Sequence, residues 1–200
     1  MTAGEGAPPK AAFTGAVLCG GSSTRMGRDK ALIEVDGLAM ARRVADALVA
    51  AGAAPEVLAI GGDATALHAL GLTAVPDDHP GAGPLPATVT ALHRATHDLV
   101  LVVACDLIRP HPQSMARTIE ALRRDPDALG AVPLIEGHHQ WTHAAWRRSA
   151  MGPLAAAFEG GARSLHQAAA ALPLASLASL DGLDPDAFVD ADAPEHLSED

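Results

Sequence analysis

Apolar positions along the chain fall into short blocks that alternate between two spacings. Phe13 to Cys19 is a continuous apolar run of strand length that stops at Gly20-Gly21. Leu38 to Ala51 then places apolar residues at helical spacing, with Arg42, Arg43 and Asp46 off the stripe. The alternation repeats. Val57 to Ile60 predicts a second strand ending at Gly61-Gly62, a short Ala/Leu helix runs to Leu70, and Leu72 to Val75 predicts a third strand ending at Pro76-Asp77. Leu85 to Thr96 predicts a helix and Asp98 to Cys105 a strand apolar on both faces, the pattern of a parallel sheet covered by helices on each side. Beyond it come a helix over Ser114 to Arg124, a strand over Leu129 to Leu134, a turn at Glu136 to His139, an antiparallel strand over Trp141 to Trp146, and helices over Ser149 to Phe158 and Ser164 to Ala171. The expected fold is α/β: one Rossmann-like, doubly wound domain over residues 11–200, its sheet mostly parallel with an antiparallel excursion near residues 129–146. Residues 1–10 are small and rich in Pro and Gly, and are expected to form a flexible leader.

Composition narrows the function. The 200 residues include 44 alanines but three Phe, two Trp and no Tyr, so stacking platforms for single-stranded nucleic acid are excluded. A net charge of −10 opposes binding to nucleic acid or to an acidic membrane surface. Cys19 and Cys105 lack metal-ligand spacing, and no apolar run approaches membrane-spanning length, so a reducing cytoplasm is the expected location. If the first strand lies beside the fourth, the two cysteines are neighbours at the sheet's carboxyl edge, where they read as small buried thiols. The basic residues are 12 Arg and two Lys, and Lys30 is the only lysine outside the leader.

Lys30 closes the loop Gly20-Gly21-Ser22-Ser23-Thr24-Arg25-Met26-Gly27-Arg28-Asp29-Lys30, which carries three cations and one acid in a strongly acidic chain. Glycines let the backbone curl close to a ligand, and exposed N–H groups and hydroxyls donate to phosphate oxygens. The spacing is neither that of a P-loop nor Gly-x-Gly-x-x-Gly. A ligand bearing phosphates is expected here, with Met26 plugged beneath the loop.

Leu18 to Leu32 resembles the signature L-x-G-G-x-S-x-R-M-G-x-D-K of the molybdenum cofactor guanylyltransferases, within the wider nucleotidyltransferase superfamily. Gly83-Pro84-Leu85, Ala104-Cys105-Asp106 and the closing Asp186 to Leu197 follow in the same order, so the resemblance covers about residues 14 to 197. It implies transfer of GMP from GTP to molybdopterin carrying molybdenum, with release of pyrophosphate. Catalytic roles fall on Lys30, Arg25 and Asp106, and nucleotide contacts on Leu18, Cys19, Gly20, Gly21, Ser22, Lys30, Gly61, Asp77, Gly83 and Asp106. Mg2+ is the implied cofactor, on Asp106 and Asp192. The implied substrates are GTP and molybdopterin, with transient contact to other cofactor-synthesis proteins or molybdoenzymes. Bland readings stand beside these: Asp106 as a helix N-cap, Asp192 as part of a solvated acidic edge, Trp141 as a rim or core residue, and His138, His139 and His143 as surface residues of a hairpin.

The chain departs from that pattern at Ile60-Gly61-Gly62, Pro86-Ala87-Thr88, Leu107-Ile108 and Gln140-Trp141, which bear on base and acceptor rather than on the triphosphate. Asp190 and Asp192 stand where Asn is common. Two alternatives therefore stay open: nucleotidyl transfer with another base or acceptor, cytidylyl or sugar phosphate, and a nucleotide-binding homologue without turnover.

Overall fold

The computed structural model describes residues 12–20, 29–175, 183 and 185–190. The leader, Gly21, Ser22, Arg25, Met26 and Asp192 lie outside the described residues.

In chain order the elements are β1 (Thr14–Leu18), a 3-10 turn (Lys30–Leu32), β2 (Glu34–Val35), β3 (Leu38–Ala39), α1 (Met40–Ala50), β4 (Leu58–Ile60), α2 (Ala64–Ala69), β5 (Thr73–Val75), α3 (Pro84–Arg94) and β6 (Leu99–Ala104). They continue with α4 (Pro112–Arg124), β7 (Gly130–Ala131), β8 (Leu134–Ile135), β9 (His138–His139), β10 (His143–Arg147), a 3-10 turn (Arg148–Ala150), α5 (Met151–Glu159), α6 (Leu165–Ala169) and a last 3-10 turn (Pro185–Phe188).

Six strands form one sheet in the order β5-β4-β1-β6-β10-β7. The first four are mutually parallel, and β10 runs antiparallel to both β6 and β7, which is the excursion expected near residues 129–146. Strand order reverses between β1 and β6, whose register sets Leu18 opposite Ala104. In such a sheet the crevice at the carboxyl ends of these two strands is where a ligand binds.

Side-chain alternation on the central strands builds the two core layers. Val17, Leu101 and Val103 pack with Leu48 of α1 and Ile119 and Leu122 of α4, whereas Ala16, Val100 and Val102 pack with Leu85 and Leu92 of α3 and Leu154 of α5. Both faces are thus covered by helices, as the doubly apolar pattern of β6 requires. With few aromatics available, Trp146 fills the second layer at full burial, and Gly130 on the neighbouring strand makes room for its ring.

Two short hairpins complete the fold, the first absent from the sequence reading and the second turning at the expected Glu136 but between strands of two residues each. Asp36 and Gly37 both take positive φ (54° and 75°) between β2 and β3, and Glu136 and Gly137 do the same (49° and 82°) between β8 and β9. The first hairpin moves the start of α1 from the expected Leu38 to Met40. The second shortens the expected strand Leu129 to Leu134 to the two residues of β7 within the main sheet.

Candidate active site

The carboxyl ends of the central strands are laced together before any ligand is considered. Cys19 N and Gly20 N both donate to Ile60 O (2.9 and 3.1 Å), Gly61 N donates to Val75 O (2.9 Å), and Cys105 N donates to Leu18 O (3.1 Å). These bonds hold the glycine tips of β1 and β4 so close that a methyl on Gly61 would lie 2.9 Å from Gly20 Cα, and Gly61 itself has φ +74°. Only glycine fits there.

Above the ends of β1 and β6 opens a cavity of about 360 Å3. Its wall includes Leu18, Cys19, Gly20, Lys30, Gly83 and Asp106, six of the expected contacts, together with Asp29, Thr142 and Asp190. Lys30 is placed by the 3-10 turn it begins: the Asp29 carboxylate caps that turn, its Oδ1 accepting from Ala31 N at 3.0 Å. The lysine Nζ then donates to Asp106 Oδ2 at 2.9 Å across 76 residues of sequence, each side chain about one-fifth exposed. The cation and the carboxylate singled out in the sequence therefore meet in one wall. Asp106 is not a helix N-cap; α4 begins after His111, which occupies that position.

Gly83 caps α3 with φ +92° and opens the helix N-terminus toward the cavity, with Pro84 at the first helical position, where its missing N–H costs nothing. Gly61 follows β4, one strand out from β1, and Asp77 follows β5, two strands out, and neither lines the cavity. Asp77 stands beside the tip of β1: a methyl on Gly20 would lie 3.9 Å from Asp77 Oδ2, and Asp77 Oδ1 accepts from His79 N at 3.0 Å.

Cys19 and Cys105 are buried free thiols that follow the adjacent strands β1 and β6, as expected. The neighbouring Cys19 thiol and burial push the Cys105 thiol well above its ordinary range, so it stands protonated in the cavity wall.

The histidines separate. His138 and His139 are exposed on β9, but His143 is a buried residue of the central sheet, opposite Val103, so its surface reading is corrected. The hairpin tip falls at Glu136-Gly137, and the chain has re-entered the sheet by His143. Trp141 is a rim residue, half-buried with its ring 5.2 Å from that of His139 and 5.7 Å from that of His166. Among the described residues no three His, Cys, Asp or Glu side chains form a cluster able to hold a metal by themselves.

Asp190 is one of the wall residues, with Asp29 and Thr142, that the sequence reading left out of the site. It arrives because the segment after the last 3-10 turn pairs with the residues following Asp106: Ile108 N donates to Val189 O at 3.0 Å, and Leu107 and Asp190 form an antiparallel bridge. Its sequence signal was the match to the closing motif, obscured by an acidic run.

A parallel sheet with glycine tips, and a lysine and a carboxylate meeting at the switch point, define an α/β protein built to handle phosphates. The chain belongs to the MobA-like NTP transferase domain family, whose pattern it matches over residues 15–174, and it is a nucleotidyltransferase. It is similar to a molybdenum cofactor guanylyltransferase of Shewanella sp. (strain ANA-3), 31% identical over 185 residues that make up 90% of each chain. A probable molybdenum cofactor guanylyltransferase of Pelotomaculum thermopropionicum is 48% identical over 94 residues, 47% of this chain and 45% of that protein. The fold is shared with molybdopterin-guanine dinucleotide biosynthesis protein A of Archaeoglobus fulgidus, at a TM-score of 0.74 and 19% identity, over 92% of this chain and 94% of that one. Among the described residues no helix is long and apolar enough to cross a membrane.

Proposed function

We propose that the protein transfers GMP from GTP to molybdopterin carrying molybdenum and releases pyrophosphate. The observation that carries this reading is the meeting of Lys30 and Asp106, 2.9 Å apart in the wall of one cavity, in a chain 31% identical to a molybdenum cofactor guanylyltransferase along 90% of its length.

The chemistry asks little covalent work of the protein. A terminal phosphate oxygen of the acceptor attacks the α-phosphorus of GTP, a phosphorus–oxygen bond forms, the bond to the bridging α–β oxygen breaks, and pyrophosphate leaves with the electron pair. That nucleophile is already ionised at neutral pH, so no strong base is required, and the wall residues serve alignment and charge neutralisation. Lys30 neutralises the leaving phosphates as a compact point charge. Arg25 joins it in this reading. Gly20 and Gly61, bare of side chains, let the nucleotide come close to the backbone, and the N-terminus of α3 behind Gly83 favours its negative charge. Asp77, beside Gly20, is the proposed partner of guanine or ribose.

The donor set fits Mg2+. That ion takes one or two carboxylates and fills its remaining positions with water and phosphate oxygens, and Asp106 and Asp190 are hard oxygen donors in the same wall. Asp106 would hold it, with Asp192 the second expected ligand, and the bound ion supplies positive charge to the triphosphate.

Pyrophosphate release measured with each nucleoside triphosphate, Mg2+, and molybdopterin present or absent tests the assignment. GTP alone should turn over, and only with acceptor. Lys30→Ala and Asp106→Ala should each lower the rate by roughly a hundredfold or more. Turnover with CTP alone would sink the guanylyl assignment, and tight GTP binding without release under any acceptor would make the protein a non-catalytic homologue.

A further inference from the structure

His143 is a buried polar residue in an otherwise apolar strand segment, His143-Ala144-Ala145-Trp146, and is 4% exposed. A buried imidazole is retained only where its nitrogens do something. Its Nε2 lies 3.2 Å from Asp190 Oδ1, with Thr142 Oγ1 3.4 Å from the same nitrogen. Its Nδ1 is fully buried and has no hydrogen-bond partner among the described residues. Leu101, Val103, Leu107 and Met115 line the same small space together with the polar His111, Ser114 and Thr118, where His111 Nδ1 pairs with Ser114 Oγ (2.9 Å) and Thr118 Oγ1 donates to Ser114 O (2.9 Å), and the Phe188 ring stands edge-on at 6.1 Å. With nothing to receive a proton from Nδ1, the tautomer that satisfies the pair carries its proton on Nε2 and donates it to the Asp190 carboxylate.

Position gives this bond its consequence. His143 sits on β10 opposite Val103, three residues before Asp106, so it is anchored in the sheet next to the chemistry. Asp190 sits at the end of the returning segment 185–190 and lines the cavity with Lys30 and Asp106. Two backbone contacts, Ile108 N to Val189 O and the Leu107–Asp190 bridge, lay that segment along the turn after Asp106, but neither fixes the Asp190 side chain. The His143 bond does.

We propose that His143 is a positioning residue for nucleotidyl transfer: it latches the Asp190 carboxylate, and with it the returning segment, to the central sheet so that the cavity around Lys30 and Asp106 is closed on its β10 side. The proposal rests on the nucleotidyltransferase reading of the site. His143 touches no substrate and acts through Asp190.

The test combines a double-mutant cycle with a readout that needs no turnover. His143→Leu replaces the imidazole with an apolar side chain of similar size, and His143→Gln restores a donor in place of Nε2. Steady-state kinetics for GTP should show His143→Leu losing roughly tenfold to a hundredfold in kcat with its melting temperature near wild type, and His143→Gln recovering most of that loss. In an Asp190→Ala background His143→Leu should cost no further kcat, because the residue it holds is gone. Hydrogen exchange on the free protein should show residues 186–190 losing protection in His143→Leu and regaining it in His143→Gln. The proposal is overturned if His143→Leu leaves kcat and exchange unchanged, if its loss is undiminished in the Asp190→Ala background, or if its only effect is a lower melting temperature. Should wild-type protein turn over no nucleoside triphosphate, the functional reading fails by itself, and exchange at 186–190 still decides the latch. If His143→Leu does not fold, exchange and kcat in His143→Gln, compared with Asp190→Ala, make the same decision.

Discussion

Gly61 is where local backbone geometry and function meet most tightly, and substituting it by alanine separates two costs. Its φ of +74° is matched by Gly37 at +75°, but a methyl on Gly37 meets nothing within 4 Å, whereas one on Gly61 falls 2.9 Å from Gly20 Cα and 3.1 Å from Gly20 N. A side chain in the left-handed region costs about 1–2 kcal/mol, and that cost is common to both sites. Carbon contacts settle at about 3.5–4.0 Å, so Gly61→Ala adds an overlap of roughly half an ångström or more between two backbones. Neither is the free end of a flexible side chain, and relieving such an overlap costs about 1–3 kcal/mol more. For a domain of this size that difference lowers the melting temperature of Gly61→Ala by roughly 3–10 °C relative to Gly37→Ala. The relief comes through displacement of the β1 tip, so GTP affinity measured by calorimetry should fall about fivefold or more in Gly61→Ala, the worth of one backbone hydrogen bond, and stay at the wild-type value in Gly37→Ala. Equal melting temperatures and equal GTP affinity for the two variants would refute both the steric argument and the placement of the β1 tip at the nucleotide.

Gly130→Ala tests the core instead of the site. Its methyl would lie 2.7 Å from two ring carbons of the fully buried Trp146 and 3.1 Å from Leu174 Cδ2, so urea unfolding should show a loss of about 1–3 kcal/mol, and a change below about 0.5 kcal/mol would contradict the packing described. Cys105 sets an alkaline limit. The neighbouring Cys19 thiol and burial raise its pKa in the folded protein, so the stability it contributes is complete below the ordinary thiol range and is lost as pH rises above it, at up to about 1.4 kcal/mol per pH unit. Urea midpoints followed from pH 7.5 to 9.5 should fall less steeply for Cys105→Ala than for wild type, and parallel curves would rule out that linkage.

The doubly wound sheet was legible because its evidence is local and redundant. Every parallel strand is an apolar run ending in glycine or aspartate, and β6 is apolar on both faces because both are covered. The Lys30 assignment came from the cation-rich glycine loop and the Asp106 assignment from the end of an apolar strand, and the β1–β6 pairing turned those one-dimensional signals into a shared cavity wall. What escaped was short or long-range. Asp36-Gly37 is a strong hairpin signal, yet strands of two residues leave no period-2 pattern, and Leu38 fits the stripe of the helix that follows. Asp190 could not be separated from the seven other acids in the last 20 residues until the backbone laid it beside Leu107. His143 was grouped with its exposed neighbours by sequence proximity, although its place in an apolar run was the better guide to burial.

The Lys30–Asp106 ion pair also sets the order in which ligands are tolerated. With no phosphate present, each group satisfies the other at 2.9 Å. Drawing Lys30 onto a phosphate deprives Asp106 of that partner and leaves a carboxylate facing a triphosphate, two like charges in a partly shielded wall. At 4 Å such a pair repels by about 1 kcal/mol in bulk water and by up to about 4 kcal/mol at the effective dielectric of a protein surface. A Mg2+ ion held by Asp106, as proposed, would offset that repulsion, so GTP should bind wild-type protein at least about tenfold more weakly in EDTA than in Mg2+. Asp106→Asn removes the charge at constant shape. In EDTA it should bind GTP more tightly than wild type does, while its Mg2+-dependent gain in affinity shrinks and its turnover falls. Calorimetric titration of both proteins in both buffers gives the four affinities. Weaker EDTA binding by Asp106→Asn than by wild type would mean that Asp106 serves the nucleotide mainly by holding Lys30 in place, and the metal would then have to be sought on other carboxylates of the chain.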